Sequence, residues 1–470
     1  MEQLERLSDS LTAFLGRFAD LFVHDSPREQ FGKYVCALLG SVLRKNGWQL
    51  AEAAGDARPD RMQRLLYSAH WDAEVVRDRL RAYVAEQLGE PAAIGIIDET
   101  GFLKQGTCSV GVKRQYSGTA GRTENCQIAT CLAYATARGQ TLIDRRLYLP
   151  AEWCTDAARR EKAHVPDTIT FQTKPQQALA MLQAAWAAGV PMRWVTGDAV
   201  YGDARYLREA IHLAGRWYVL GVSSTTPVWT VRPPLRLPQA DTGGRPQTRA
   251  RLGANAPAWV TGADAVAAVP AARWHRLAVQ EGEKGPITYD WTRLRVLERV
   301  DGLPGRTVWL LARRSVTDPT EVKYFLSNAP PTVTLPALAR VASTRFAVEQ
   351  CFKETKGQTG LDQYEVRRWH SWHRHITLAM LAHAWLTVTR AAEADREAAD
   401  QKGGHGSAGP PDGARSTPGG GDRPRPGTHA GAPPPLVALS PPETLGSPGK
   451  LLPPCLRTAR VAEGGVKGAR

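Results

Sequence analysis

The chain is expected to adopt an α/β fold, and three observations carry that expectation. Residues 1–90 are helical in pattern, strand and helix patterns alternate from 92 to 223, and a long helical pattern returns after a β-rich stretch. The 470 residues are enough for several structural units. No run approaches the ~20 apolar residues of a membrane span, and the charged start MEQLERLSDSLTAFLGRF lacks the apolar stretch of a signal peptide. Seven cysteines without a C-x-x-C pair argue against a disulfide framework and against structural zinc, so a reducing cytoplasm is expected. Sixty Lys and Arg against 46 Asp and Glu, a net charge of +14, favour a polyanionic partner and no membrane.

In residues 1–90, LTAFLGRFADLF, FGKYVCALLGSVL and AEVVRDRLRAYVAEQLG repeat apolar residues near a 3.6 period. From 91 to 223 the texture changes. AAIGIID (92–98) reads as a buried strand followed by the turn-like GFLKQG, and SVGVKRQYSG and NCQIATCLAYAT alternate as strands. ARGQ is a hairpin turn before TLIDRRLYLP, and KPQQALAMLQAAWAAG is a helix ending in Gly. RWVTGDAVYG is a strand that stops at Gly-Asp, ARYLREAIHLAG a helix and WYVLGVS a strand. Residues 224–334, with TTPVWTV, ITYDWTRLRVLERV and RTVWLLARR, form a β-rich insertion. Helical pattern follows over 335–395. From 401 to 470 there are 15 Gly and 13 Pro and no aromatic residue. So little apolar surface cannot offset ordering entropy, and a tail over 396–470 is expected to be disordered.

Three acids stand out. Asp98 ends IGIID, Asp198 ends RWVTGD, and Glu349 lies in the helix LARVASTRFAVEQCFKETK. A strand-end Asp points into the crevice where open α/β sheets place ligands, although capping a turn or helix is the commoner role. On a 3.6-residue helix Leu338, Val341, Arg345, Glu349, Phe352 and Lys356 share one stripe. Charges on an inward stripe need a metal, a phosphate or each other. The plain alternative is a solvated Arg345–Glu349 ion pair four residues apart. Two strand-end carboxylates and a third on a later helix suit a pair of hard divalent ions, which hold the attacking and leaving oxygens of a phosphodiester in line. Arg345 and Lys356 would supply positive charge for phosphate.

The R-x(3)-E-x(6)-K spacing of Arg345, Glu349 and Lys356 resembles part of the signature of DDE insertion-sequence transposases. IIDETGFLKQGTCSVGVKRQYSGTAGRTENCQ, DRRLYLPAEW, VTGDAVYG and GLDQYEVRRWHSWHRHITLAML resemble the 701-type insertion-sequence family over roughly residues 15–390. The Tyr that opens that signature is Ala342 here. The resemblance implies an RNase H-like core split by the β-rich insertion, residues 91–223 and 335–395. Asp98, Asp198 and Glu349 would be the catalytic metal ligands, for two Mg²⁺ with Mn²⁺ as a substitute. It also implies double-stranded DNA partners, element ends and target, bound by a helical N-terminal domain (1–90), a homodimer in the active complex, and a bacterial, nucleoid-associated setting. The rival readings are a DNA-binding protein of this fold without catalysis, and a stand-alone nuclease.

Other residues carry lesser expectations. Lys113, Arg114 and Arg122 suit a DNA backbone or a solvated hairpin, and Arg367, Arg368 and Trp369 suit a DNA-facing helix start. His370, His373 and His375 look like a metal cluster by count, but contact with nucleic acid or ordinary packing fits their neighbours better. Glu99 is expected on the face opposite Asp98 in a structural role, and Asp203 as the cap of the following helix. The ATP-binding G-x(4)-G-K-S/T pattern is absent from the sequence.

Overall fold

A computed structural model describes residues 2–236, 249–282 and 285–404. Five helices come first: α1 (Glu2–Gly16), α2 (Asp25–Leu39), α3 (Gly47–Ala53), α4 (Asp60–Tyr67) and α5 (Ala73–Leu88). Then follow β1 (Ile94–Leu103), β2 (Lys113–Ser117), β3 (Arg122–Thr136), β4 (Gly139–Leu147), α6 (Ala151–Thr155), α7 (Ala157–Lys162) and α8 (Lys174–Ala187). β5 (Trp194–Gly197), α9 (Ala199–Gly202), α10 (Arg205–Leu213) and β6 (Trp217–Val222) complete the alternating stretch. The β-rich stretch contributes β7 (Pro227–Trp229), β8 (Leu235–Arg236), β9 (Arg251–Leu252), β10 (Val260–Thr261), α11 (Gly262–Ala267), β11 (His275–Gly282), β12 (Gly285–Val300), β13 (Leu303–Ser315) and β14 (Val322–Ser327). Two long helices close the described chain, α12 (Leu335–Thr359) and α13 (Trp369–Gly404).

One mixed sheet organises the molecule. β1 pairs antiparallel with β3, β3 with β4 and β2, while β5 and then β6 line up parallel to β1 on its other side. β14 adds antiparallel to β6, and β13, β12 and β7 follow, so the β-rich stretch lengthens the same sheet. Helices cover both faces. Gln177 of α8 bonds Thr130 of β3 on one face (2.8 Å), and α12 crosses β1 and β5 on the other.

Three features differ from expectation. β1 continues through the turn-like GFLKQG to Leu103, because β3 pairs with it along its whole length, from Ile94–Ala135 to Leu103–Cys126. Asp98 is therefore mid-strand. The helices α3 and α4 are too short to show a repeating apolar period, and the 3.6 pattern passes over them. α13 runs on to Gly404, past 396, through the helix-forming EADREAAD, whose Asp395 pairs with Arg138 of the β3–β4 turn at 2.6 Å. The rest of the Gly/Pro-rich tail, 405–470, lies outside the described residues.

Candidate active site

β1 and β5 run parallel, and their pairing stops at Ile97–Gly197. The next residue on each chain is an aspartate, Asp98 or Asp198. Gly197 permits the approach, since a Cβ there would lie 2.7 Å from Ile97 Cγ1. Behind Asp198 the chain turns at once into the four-residue α9, pressed on β6 so closely that a Cβ at Gly202 would overlap the Gly221 carbonyl. Asp198 caps this turn, accepting the Val200 N–H at 2.9 Å. The capping role expected of a strand-end Asp is thus present and leaves the carboxylate beside Asp98.

The third candidate acid, Glu349, lies on α12. Thr334 caps its start and Gly360, in the left-handed region at φ 65°, ends it. The inward stripe is real at Leu338, Val341 and Phe352, all buried. Arg345 lies at its margin and spans two acids, with Nη2 3.4 Å from Asp98 Oδ2 and Nη1 3.6 Å from Glu349 Oε1. Glu349 is at the rim, its side chain 61% exposed. Both contacts are longer than a charge-assisted hydrogen bond. Arg345 therefore only partly offsets the acids.

The electrostatics follow. Burial pushes the Asp98 carboxyl up to about 7, with Asp198 and Glu99 adding to the rise and Arg345 opposing it. Asp198 is also raised, first by burial and then by Glu99. Among the described residues no three His, Cys, Asp or Glu side chains stand together as a ready-made metal cluster. The donor chemistry of Asp98 and Asp198 still fits a hard divalent cation: a buried and a half-buried carboxylate close enough for one to raise the other, with negative charge that Arg345 only partly balances. Among the described residues, Glu349 connects to that pair through Arg345.

Sequence reasoning gave Glu99 a purely structural role and passed over Lys174 and Tyr201. Strand alternation does turn Glu99 from the Asp98 face toward α8. There it accepts from Lys174 Nζ at 2.6 Å and from Tyr201 Oη at 2.8 Å. Burial, and then Glu99, raise the Tyr201 phenol well above its ordinary value. Glu99 still acts on Asp198 through space, which adjacency in sequence to Asp98 alone signals. Lys174 is placed by the Thr173–Gln176 capping box that starts α8.

The other candidates scatter. Lys356 is half-buried, its Nζ donating to the Gly101 carbonyl at 3.0 Å and to Thr119 Oγ1 at 3.2 Å, where burial lowers its pKa. Lys113 pairs with Glu152 and Arg122 with Glu124, both at 2.7 Å on the exposed β2–β3 hairpin that also carries Arg114. Arg367 is exposed, Arg368 lies over the Tyr67 ring at 5.2 Å, and Trp369 packs on His373. The three histidines bind separate partners: His370 the Tyr67 carbonyl, His373 the Trp369 carbonyl, and His375 both Tyr34 Oη and the Gly360 carbonyl. Asp203 does not cap α10; its Oδ1 accepts the Ser223 N–H at 3.0 Å and fastens the end of β6.

A family model described as DDE superfamily endonuclease matches residues 17–286, more than half of the chain, and the chain belongs to that family. The matched span contains Asp98 and Asp198, and Glu349 lies beyond it. The chain is also similar to the probable transposase for insertion sequence element IS701 of Microchaete diplosiphon, 28% identical over 189 residues. That match covers 40% of this chain and 46% of the relative, so it spans about half the relative's length. A solved structure of the piggyBac transposase synaptic complex with hairpin DNA overlaps 84% of this chain and 74% of that one, at 12% identity and a TM-score of 0.35. A likeness of that size carries no argument.

Proposed function

We propose that this chain is a transposase that cuts DNA at the ends of a mobile element and joins them to target DNA. The observation that carries the reading is the convergence of Asp98 and Asp198 where β5 leaves β1, with Arg345 of α12 lying over them and Glu349 beside it. The strand order β4-β3-β1-β5-β6, three antiparallel and then two parallel, supports an RNase H-like core, with the strands of 224–334 as an insertion and residues 1–90 as a DNA-binding domain.

In this reading Asp98, Asp198 and Glu349 would hold divalent cations, two Mg²⁺ or Mn²⁺, which would supply Lewis-acid stabilisation of charge on a phosphodiester. The chain's own groups then do the rest. Asp98 and Asp198 would fix where that positive charge collects and so orient the reacting phosphate, and Arg345, 3.4 Å from Asp98, would donate to its oxygens. Lys356 holds β1 and the β2–β3 turn in place through Gly101 and Thr119. Water adds to phosphorus as the bond to O3′ breaks, leaving a 3′-hydroxyl and a 5′-phosphate. That hydroxyl next attacks a target phosphodiester and displaces its O3′. Joining two ends requires a homodimer at least, and substrate DNA places the protein at the bacterial nucleoid. Among the described residues no helix is long and apolar enough to cross a membrane.

Asp98→Asn or Asp198→Asn should lower cleavage of a supercoiled plasmid carrying the element ends by at least ~10³-fold, as loss of a metal-held catalytic charge does. Binding to the same ends should stay within about two-fold of wild type. Full cleavage by either variant would place the chemistry elsewhere, and binding without cleavage by the wild type would favour the non-catalytic rival.

A further inference from the structure

Short helices α3 and α4 are joined by a turn over residues 54–59, and both pack on α2. The turn is rigid. Gly55 takes the left-handed region at φ 75°, and Asp56 is fastened to α2 by Gln30 Nε2 at 2.8 Å and Lys33 Nζ at 2.9 Å. α4 buries Met62, Leu65 and Leu66 and turns Arg61, Gln63 and Arg64 to solvent. Its C-terminal end is pinned to α13. Arg374 donates to the Leu66, Ala69 and Trp71 carbonyls at 3.1, 2.7 and 2.7 Å, and the His370 ring meets the Tyr67 carbonyl at 2.9 Å.

The outward face of α4 is rich in arginine. Arg58, Arg61 and Arg64 are exposed, and among the described residues none of them forms an ion pair, although Arg61 lies close enough to Asp56 to help lower its pKa. Arg368 extends the basic strip past Tyr67. Gln63 sits centrally, its Cγ against Gly47 at the start of α3, next to Trp48, which is 61% exposed. A rigid helix with unpaired guanidinium groups flanking a neutral amide matches what a duplex offers: phosphates on both walls of the major groove and base edges between them.

We propose that the outward face of α4 enters the major groove of duplex DNA, with α3 and its Trp48 against the backbone. Arg58, Arg61 and Arg64 contact phosphates, and Gln63 reads a base edge. The assignment rests on the transposase reading and names the surface that selects the ends. It differs from the hairpin residues Lys113, Arg114 and Arg122, two of which are already paired.

The test is fluorescence anisotropy with two duplexes of equal length, one carrying the outermost base pairs that flank this coding region and one with that sequence scrambled. Wild-type protein should prefer the first. Gln63→Ala should cut that preference roughly ten-fold with an unchanged salt slope, the effect of losing one base-edge contact. Arg61→Ala combined with Arg64→Ala should weaken binding to both duplexes and lower the salt slope by about two. Melting temperatures should not move, because these side chains are exposed. Variants that bind both duplexes as wild type does would overturn the assignment, as would an equal or higher affinity for an RNA duplex. If such protein still cuts the plasmid, only the α4 surface is lost. If wild type neither binds nor cuts, the transposase reading falls with it.

Discussion

Asp98 on β1 and Asp144 on β4 lie two strands apart in the same sheet, and the protein treats them in opposite ways. The Asp144 side chain is fully buried and fully satisfied. It accepts from Arg77 Nη1 at 2.9 Å, from Arg81 Nη2 at 2.7 Å and from the Arg145 backbone N–H at 2.8 Å. Arg145 also reaches Glu74 of α5 at 2.8 Å, so this cluster ties α5 to the sheet. Asp98 is almost as buried, yet its nearest cation, Arg345, stays 3.4 Å away and is shared with Glu349, and two more carboxylates crowd it. A buried acid surrounded by arginines is a structural clamp. Asp98 instead keeps a buried carboxylate that its surroundings only partly compensate.

Removing either acid separates the two roles. Asp144→Ala removes the buried carboxylate shared by Arg77 and Arg81, leaves these arginines and Arg145 only the part-exposed Glu74 and Asp78 as partners, and should cost about 3–5 kcal/mol of unfolding free energy, read by urea titration. Asp98→Asn, which removes a poorly compensated charge, should leave the urea midpoint of the metal-free protein unchanged or higher. Equal losses for both would dissolve the contrast.

A pH titration sharpens it. His373 abuts the Asp144 cluster, and burial, then the charge of Arg145, push its pKa down to about 3. A histidine held neutral in the folded state stabilises fully above its free value of ~6.5, and that contribution is lost as pH falls through the folded value. The protein should thus lose about 2 kcal/mol between pH 6.5 and pH 5 from this residue, at ~1.4 kcal/mol per unit. His373→Gln should flatten that part of a plot of stability against pH. An unaltered slope would mean that the acid sensitivity originates elsewhere.

The smallest expected effect is at Arg345. Its two ion pairs are long and partly exposed, so Arg345→Ala should change stability by less than ~1 kcal/mol in the metal-free protein. A loss comparable to that of Asp144→Ala would make Arg345 a clamp like Arg77.

Much of this was legible in the chain. The apolar runs IGIID and RWVTGD put an aspartate at the end of each of two strands, and the 3.6 period of the helix around Glu349 put Arg345 on its stripe, because side-chain direction in helices repeats over a few residues. The basic excess and the spacing of Arg345, Glu349 and Lys356 carried the expectation of a nucleic-acid enzyme. Three things were decided only by tertiary structure. β1 runs past Asp98 because β3 lies against it, a pairing between residues about thirty positions apart. Lys356, on the expected stripe, ends at a backbone carbonyl of β1. Asp144 and Asp98 look alike as acids in strand patterns, and only the folded chain brings three arginines to one and a single, longer arginine contact to the other. Periodicity is set by bonds along the chain. Charge compensation depends on distance through space and on how much water is excluded, so it is settled only when distant segments meet.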